Sequence, residues 1–306
     1  MLEAVRQWLS PETVLRSNEP LAKRTTLGVG GRARWYAEPA SVEDLISLKH
    51  AAAETGLPVF FLGRGSNLLV MGGGIEVLVI RLQHRRWRQV DMLSDGCLRA
   101  GAGVRLRELC GEALRRGLAG LEFLEGIPGT VGGALRMNAG AMGGWMLEVV
   151  ESVRLVNGQG GETVCRREDL HYGYRHCREL RDACALEAVL RPPGRAESEA
   201  IREVLHRHQE HRQATQPREP SAGCIFKNPD GDSAGRLIDH CGLKGTRVGD
   251  AEVSPVHGNF IINRGRATSG EVVDLVRRVR DGVWKHARVE LEPEVLLLGA
   301  EWEDLL

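Results

Sequence analysis

The chain has no net charge. Its 306 residues carry 41 Lys and Arg against 41 Asp and Glu, and the pI is near 7.2. Without a global field there is no general attraction to nucleic acid or to an acidic membrane surface. Lysine is scarce, five residues against 36 arginines. No apolar stretch approaches the roughly 18 residues of a membrane span. The start, MLEAVRQWLSPE, lacks a basic segment followed by an apolar run, so no secretory signal is expected. The seven cysteines (97, 110, 165, 177, 184, 224, 241) form no C-x-x-C pair. An odd, irregular set in a long chain predicts reduced thiols in the cytoplasm. There is no internal repeat and no low-complexity segment.

What the chain does have is glycine in the right places. Residues 120–144 read GLEFLEGIPGTVGGALRMNAGAMGG and hold eight of the 38 glycines. Glycine permits positive φ and close approach of another group. Such a run can aim successive N–H groups at one anion, as phosphate-binding nests do. Ile127, Val131, Ala134 and Leu135 between the glycines predict a packed loop, where a flexible linker would be glycine with serine. Two readings stand: a loop around a phosphate-bearing cofactor, or tight turns in an ordinary domain. A second glycine turn, Gly63-Arg64-Gly65-Ser66-Asn67-Leu68, leaves the strand-like Pro58–Leu62. It lacks the third glycine of a dinucleotide fingerprint and the Gly-Lys-Ser/Thr of a P-loop.

In chain order, residues 1–16 predict a short helix with Val5, Trp8 and Leu9 on one face, and Asn18-Glu19-Pro20 a break. A strand is expected at 33–37. A helix follows, capped by Ser41 and closed by Gly56, with Leu45, Leu48 and Ala52 inward. Strands at 77–80 and 97–100, a helix over 104–116, and strands at 150–156 and 186–190 complete the first part. Pro192-Pro193-Gly194 suits a domain boundary. Beyond it come a polar helix over 198–213, a helix capped by Ser233, a strand at 260–263 and a helix capped by Ser269. The last carries Val272, Val276, Val279 and Val283. Strands at 288–291 and 295–298 end the series. The run His84–Arg88 reads as a solvated strand end. His206, His208 and His211 do not share a helix face, so no metal site is expected.

Three groups offer chemistry. Arg175 lies among aromatics in His171–Arg175; its plain reading is a surface arginine stacked on tyrosine. Cys224 follows a glycine. It is either a small buried hydrophobe or a proton donor, since an unperturbed thiol, with a pKa of about 8.5, is mostly protonated near neutrality. No His-Asn or His-Asp signature marks it as a protease-type nucleophile. Glu294 is a turn residue or a general acid. The residues themselves lead to a cytoplasmic α+β enzyme holding a phosphate-bearing cofactor, with substrate and reaction open.

Taken together and in order, these motifs resemble the UDP-N-acetylenolpyruvoylglucosamine reductase family. The matching pieces are 63–68, 126–134 with Asn138-Ala139-Gly140-Ala141, Gly173-Tyr174-Arg175, 223–229, 234–239 and 291–295. The resemblance spans nearly the whole chain and implies a vanillyl-alcohol-oxidase-type FAD-binding fold over 1–192. That region would form two α/β subdomains, about 1–82 and 83–192, and a C-terminal α+β substrate domain would cover 195–306. It implies non-covalent FAD held by Gly63, Arg64, Gly65, Ser66, Asn67, Leu68, Gly126, Ile127, Pro128, Gly129, Thr130, Gly132, Gly133, Asn138, Ala139 and Gly140. It further implies NADPH as co-substrate and a UDP-sugar substrate, with no nucleic-acid or membrane partner.

By motif position Arg175 and Glu294 would polarise the substrate carboxylate. Cys224 would stand where the family usually carries a proton-donating serine. Arg212, Lys227, Asn228 and His257 would contact the sugar nucleotide. The short segment between Arg175 and Pro192 resembles the branch without an extra tyrosine loop. Another FAD oxidoreductase of this fold, or an inactive flavin-binding module, are the alternative readings.

Overall fold

The computed structural model describes residues 2–306. The chain folds as two compact units. The first comprises the residues up to Arg16, Trp35–Gly63 and Val77–Arg212; the second comprises Ser17–Arg34, Arg64–Glu76 and Gln213–Leu306.

The first unit is built on a five-stranded antiparallel sheet. Its order is Glu162–Arg166, Val150–Val156, Cys184–Leu190, Leu98–Gly101, Val90–Met92. Register sets Val153 opposite Ala188 and Leu190 opposite Leu98. Cys184–Leu190 reads as a near-continuous apolar run and is largely buried, while in Val150–Val156 the apolar Val150, Val153, Leu155 and Val156 are buried and Glu151 is exposed. The helix Val42–Glu54 forms as its cap predicts: Ser41 Oγ accepts the Asp44 N–H at 3.0 Å. Leu45, Leu48 and Ala52 are fully buried. Val59–Phe61 pairs in parallel with Leu78–Ile80 and delivers the chain to Gly63. The run His84–Arg88 is a solvated turn pinned by its tryptophan: Trp87 is buried and donates Nε1–H to Pro39 O at 2.7 Å.

Two expectations fail at the start of the chain. Only Leu2–Val5 is α-helical near the start; Arg6–Trp8 is a 3₁₀ turn, and Trp8 is exposed, not inward. Val14–Pro20 is then an edge strand running through the predicted break, because proline is tolerated where no ladder N–H is needed. Near the expected boundary, Gly194–Arg195 pairs with Leu118–Ala119. The Pro193 ring sits where a side chain on Gly120 would be, 2.1 Å from that absent Cβ. The helix Ser198–Thr215 continues on the same unit through Ser198 Oγ–H to Leu114 O and the His208 ring to Glu122 O. The compact units part after Arg212.

The second unit holds a four-stranded antiparallel sheet ordered Ser221–Cys224, Phe260–Asn263, Ala251–Val253, Arg247–Val248. The helix Ser269–Ala287 buries Val272, Val276, Val279 and Val283. Its cap is Thr268, one residue earlier than expected. Thr268 and Glu271 exchange both capping bonds, and Ser269 Oγ is left to accept the Gly72 N–H at 2.8 Å. Leu296–Leu298 pairs in parallel with Leu68–Val70. The expected strand at 288–291 is not formed, since Arg288 turns into the left-handed region to end the long helix.

Candidate functional site

In the first unit Gly63 faces the 126–133 segment. A Cβ on Gly63 would lie 3.0 Å from Thr130 Oγ1. Gly63, Gly103, Thr130, Gly132 and Gly133 line a cleft with the apolar Phe61, Leu82 and Leu180. Thr130 caps the short helix Val131–Arg136 by accepting the Gly133 N–H. The 126–133 turn is not a nest of free donors. The N–H groups of Ile127, Gly129, Val131 and Gly132 are spent on Leu124, Ile127, Val104 and Ala102 carbonyls. Its glycines make a bare, close-packed wall instead. Free donors lie in the second turn. Among the described residues, the N–H groups of Gly65, Ser66 and Asn67 have no protein acceptor.

The glycine stretch also supports Arg175, through Asn138, which the motifs assign to FAD, and Trp145, which they do not mark. Asn138, at φ 37°, donates Nδ2–H to Gly173 O at 3.1 Å and accepts Leu147 N–H at 3.0 Å. Its side chain is thus committed inside the protein. The Trp145 ring occupies the space a Cβ on Gly140 would take, 2.4 Å from it. Arg175 (φ 63°) lies with its guanidinium 5.9 Å from Trp145 and 5.2 Å from Tyr174. The stacked-arginine reading therefore holds, and the stack orients the group. Arg212 lies across Gly126, its Cδ 2.4 Å from where a Cβ would be. Arg136, missed in the sequence, lines the cleft, and burial lowers its pKa.

In the second unit Cys224, Glu294 and the Ser66-Asn67 turn come together. Glu294 N–H donates to Ile225 O at 2.7 Å, and Asn67 Nδ2–H reaches Glu294 O at 3.3 Å. A Cβ on Gly223 (φ 79°) would lie 3.6 Å from Ser66 O. Glu294 is buried and Cys224 half-buried. Lys227 pairs with Glu292, and Asn228 Oδ1 accepts the Ala234 N–H at 3.1 Å. His257 packs on Phe260, and its Nδ1 accepts the Asn259 N–H at 3.1 Å.

Burial, then the Lys244 charge, lowers the His257 pKa from its ordinary 6.5. The folded chain therefore resists protonation there. The stability this protects is complete above about pH 6.5 and declines as pH falls below it, where the unfolded chain binds the proton first. His257→Gln is expected to flatten the acid side of a melting-temperature-against-pH curve relative to the parent; parallel curves would refute this.

Asp95, Cys97 and Glu151 bring potential ligand atoms within 4.8 Å of one another. Arg191 bridges the two carboxylates, at 3.0 Å from Asp95 and 2.7 Å from Glu151. The Cys97 thiol is pushed up to about 11, chiefly by burial. The cluster is a salt-bridged triad, two carboxylates on one guanidinium, beside a protonated thiol.

Two family models match the chain: an FAD binding domain over residues 33–166, and the C-terminal domain of UDP-N-acetylenolpyruvoylglucosamine reductase over 216–298. The reductase of Synechococcus elongatus is 42% identical over 295 residues, 95% of this chain and 97% of that protein. The reductase of Geotalea uraniireducens is 43% identical over 94% of this chain and 95% of that protein. The chain belongs to the UDP-N-acetylenolpyruvoylglucosamine reductase family. The crystal structure of the Thermus caldophilus enzyme superposes with a TM-score of 0.80 at 40% identity, covering 94% of this chain and 99% of that one. The α+β fold with an FAD-binding domain is the one the sequence led to expect. Among the described residues, no helix is long and apolar enough to cross a membrane.

Proposed function

We infer that the chain is an FAD-dependent oxidoreductase that uses NADPH to convert UDP-N-acetylglucosamine enolpyruvate to UDP-N-acetylmuramate, a step of peptidoglycan precursor synthesis. The observation that carries this is the full-length match to reductases of one family, at 42–43% identity.

The residues present fit FAD, held without a covalent link. Bare glycine and apolar walls in the cleft suit a flat ring. The donors of Gly65, Ser66 and Asn67 suit a phosphate. When bound, FAD supplies the relay of hydride from NADPH to the enolpyruvyl double bond. Hydride addition to one alkene carbon leaves negative charge shared with the substrate carboxylate. Arg175 and Glu294 hold and polarise that carboxylate, as groups preset for developing charge do. Cys224 gives its S–H proton to the adjacent carbon, and the thiolate recovers a proton from solvent. Arg212, Lys227, Asn228 and His257 bind the sugar nucleotide. The second unit's 213–306 segment supplies the substrate domain, and the reaction runs in the cytoplasm.

The test is direct. The purified chain should show a flavin spectrum, release its flavin on acid precipitation, and oxidise NADPH only when UDP-N-acetylglucosamine enolpyruvate is present. A colourless protein, or a flavoprotein indifferent to that substrate, would refute the reading.

A further inference from the structure

We propose that Asn259 is a positioning residue for the protonation step, acting by locking the Cys224 strand to the Glu294 segment. It rests on the reading of Cys224 as proton donor, and nothing in the motifs pointed to it.

Asn259 is 2% exposed and belongs to the turn leading into the strand Phe260–Asn263. Its carboxamide meets Phe226 with both ends: Oδ1 accepts the Phe226 N–H at 2.9 Å, and Nδ2–H donates to Phe226 O at 2.8 Å. Its own carbonyl accepts the Ile225 N–H at 2.9 Å. Three backbone groups of the two residues after Cys224 are therefore held by this one residue. The same two-residue stretch is gripped from the far side. Ile225 O accepts the Glu294 N–H at 2.7 Å, Lys227 N–H reaches Glu292 O at 2.8 Å, and Phe226 bridges Pro293. One step back, Cys224 pairs with Phe260, the residue after Asn259, past a register shift in the strand.

A register shift leaves a strand without the regular ladder that would fix its alignment. Past that shift, beyond the end of the strand Ser221–Cys224, the carboxamide satisfies the buried Phe226 N–H and C=O together. An aspartate would oppose carboxylate oxygen to the Phe226 carbonyl, and an alanine would leave both groups bare. Asparagine has the length and the donor–acceptor pair to do both. Because Cys224 and Glu294 flank the clamped stretch, a shift there changes the distance from the thiol to the carbon it protonates. Misplacement of about 1 Å costs on the order of a hundredfold in rate.

The experiment separates the half-reactions of the flavoenzyme by stopped flow, in Asn259→Ala and the milder Asn259→Ser, at a temperature well below melting. Reduction by NADPH should stay within about twofold of the parent, while reoxidation by UDP-N-acetylglucosamine enolpyruvate slows about ten- to a hundredfold. In the Cys224→Ala background the Asn259 change should add little, because both act on one step. Three results overturn the inference: both half-reactions slowing alike, undiminished reoxidation, or failure of both variants to fold with flavin bound, which would make Asn259 a fold residue only. If Cys224→Ala alone leaves reoxidation intact, it is the proton-donor reading that fails.

Discussion

Cys224→Ala is expected to accept hydride from NADPH at close to the parental rate and then to stall. The flavin band should bleach on NADPH addition and fail to return when UDP-N-acetylglucosamine enolpyruvate is added. The loss in the second half-reaction should be about 10²–10⁴-fold, the usual worth of a positioned proton donor. Cys224→Ser should retain much of the activity, because a hydroxyl at the same Cβ also carries a transferable proton. The local structure makes these clean substitutions. Cys224 is only half-buried. The backbone just after it is set by bonds from the Asn259 carboxamide and carbonyl and from the Glu294 N–H, which either change leaves in place. Full turnover by Cys224→Ala would show that the proton comes from elsewhere.

Gly133→Val should yield a folded protein that purifies without flavin. A Cβ at Gly133 meets only Thr130 Oγ1, at the ordinary distance of 3.6 Å, so the protein has room for it. At Gly103 the same atom would lie 2.2 Å from the Leu82 carbonyl, and the fold itself would have to move. Gly133 nevertheless lines the cleft, so the added methyls occupy the space proposed for the cofactor. FAD affinity should fall about a hundredfold, equivalent to about 2.7 kcal/mol. The melting temperature should match the parent when both are stripped of flavin, and fall below it when both are saturated with FAD, since a ligand stabilises only what binds it. One flavin per Gly133→Val chain, with parental affinity, would place the cofactor elsewhere.

Much of this was legible along the chain. The Ser41 and Ser233 caps, the valine stripe from Val272 to Val283 and the buried runs at 150–156 and 186–190 are local signals, and each produced the element it predicts. The errors have local causes too. Ser269 lost the cap to Thr268 because Glu271, three residues after Thr268, completes a reciprocal box there. At Pro192–Gly194, composition cannot tell that Gly120 leaves a seat for the Pro193 ring.

The candidate site divides in the same way. By itself the sequence determined the family, and it is the ground on which the cofactor-binding segments and the roles of Arg175, Cys224 and Glu294 are proposed, because motif residues in a set order persist wherever the chain travels. Only the tertiary structure decided what each glycine segment offers. The donors of Gly129, Val131 and Gly132 are consumed by carbonyls, two of them from residues 102 and 104, while those of Gly65, Ser66 and Asn67 are left over. It alone brought Asn138 and Trp145 to the Arg175 turn, and Asn259 to the backbone beside Cys224. Hydrogen bonds between residues some 30 positions apart depend on register and burial, and neither is written in the spacing of residues along a strand.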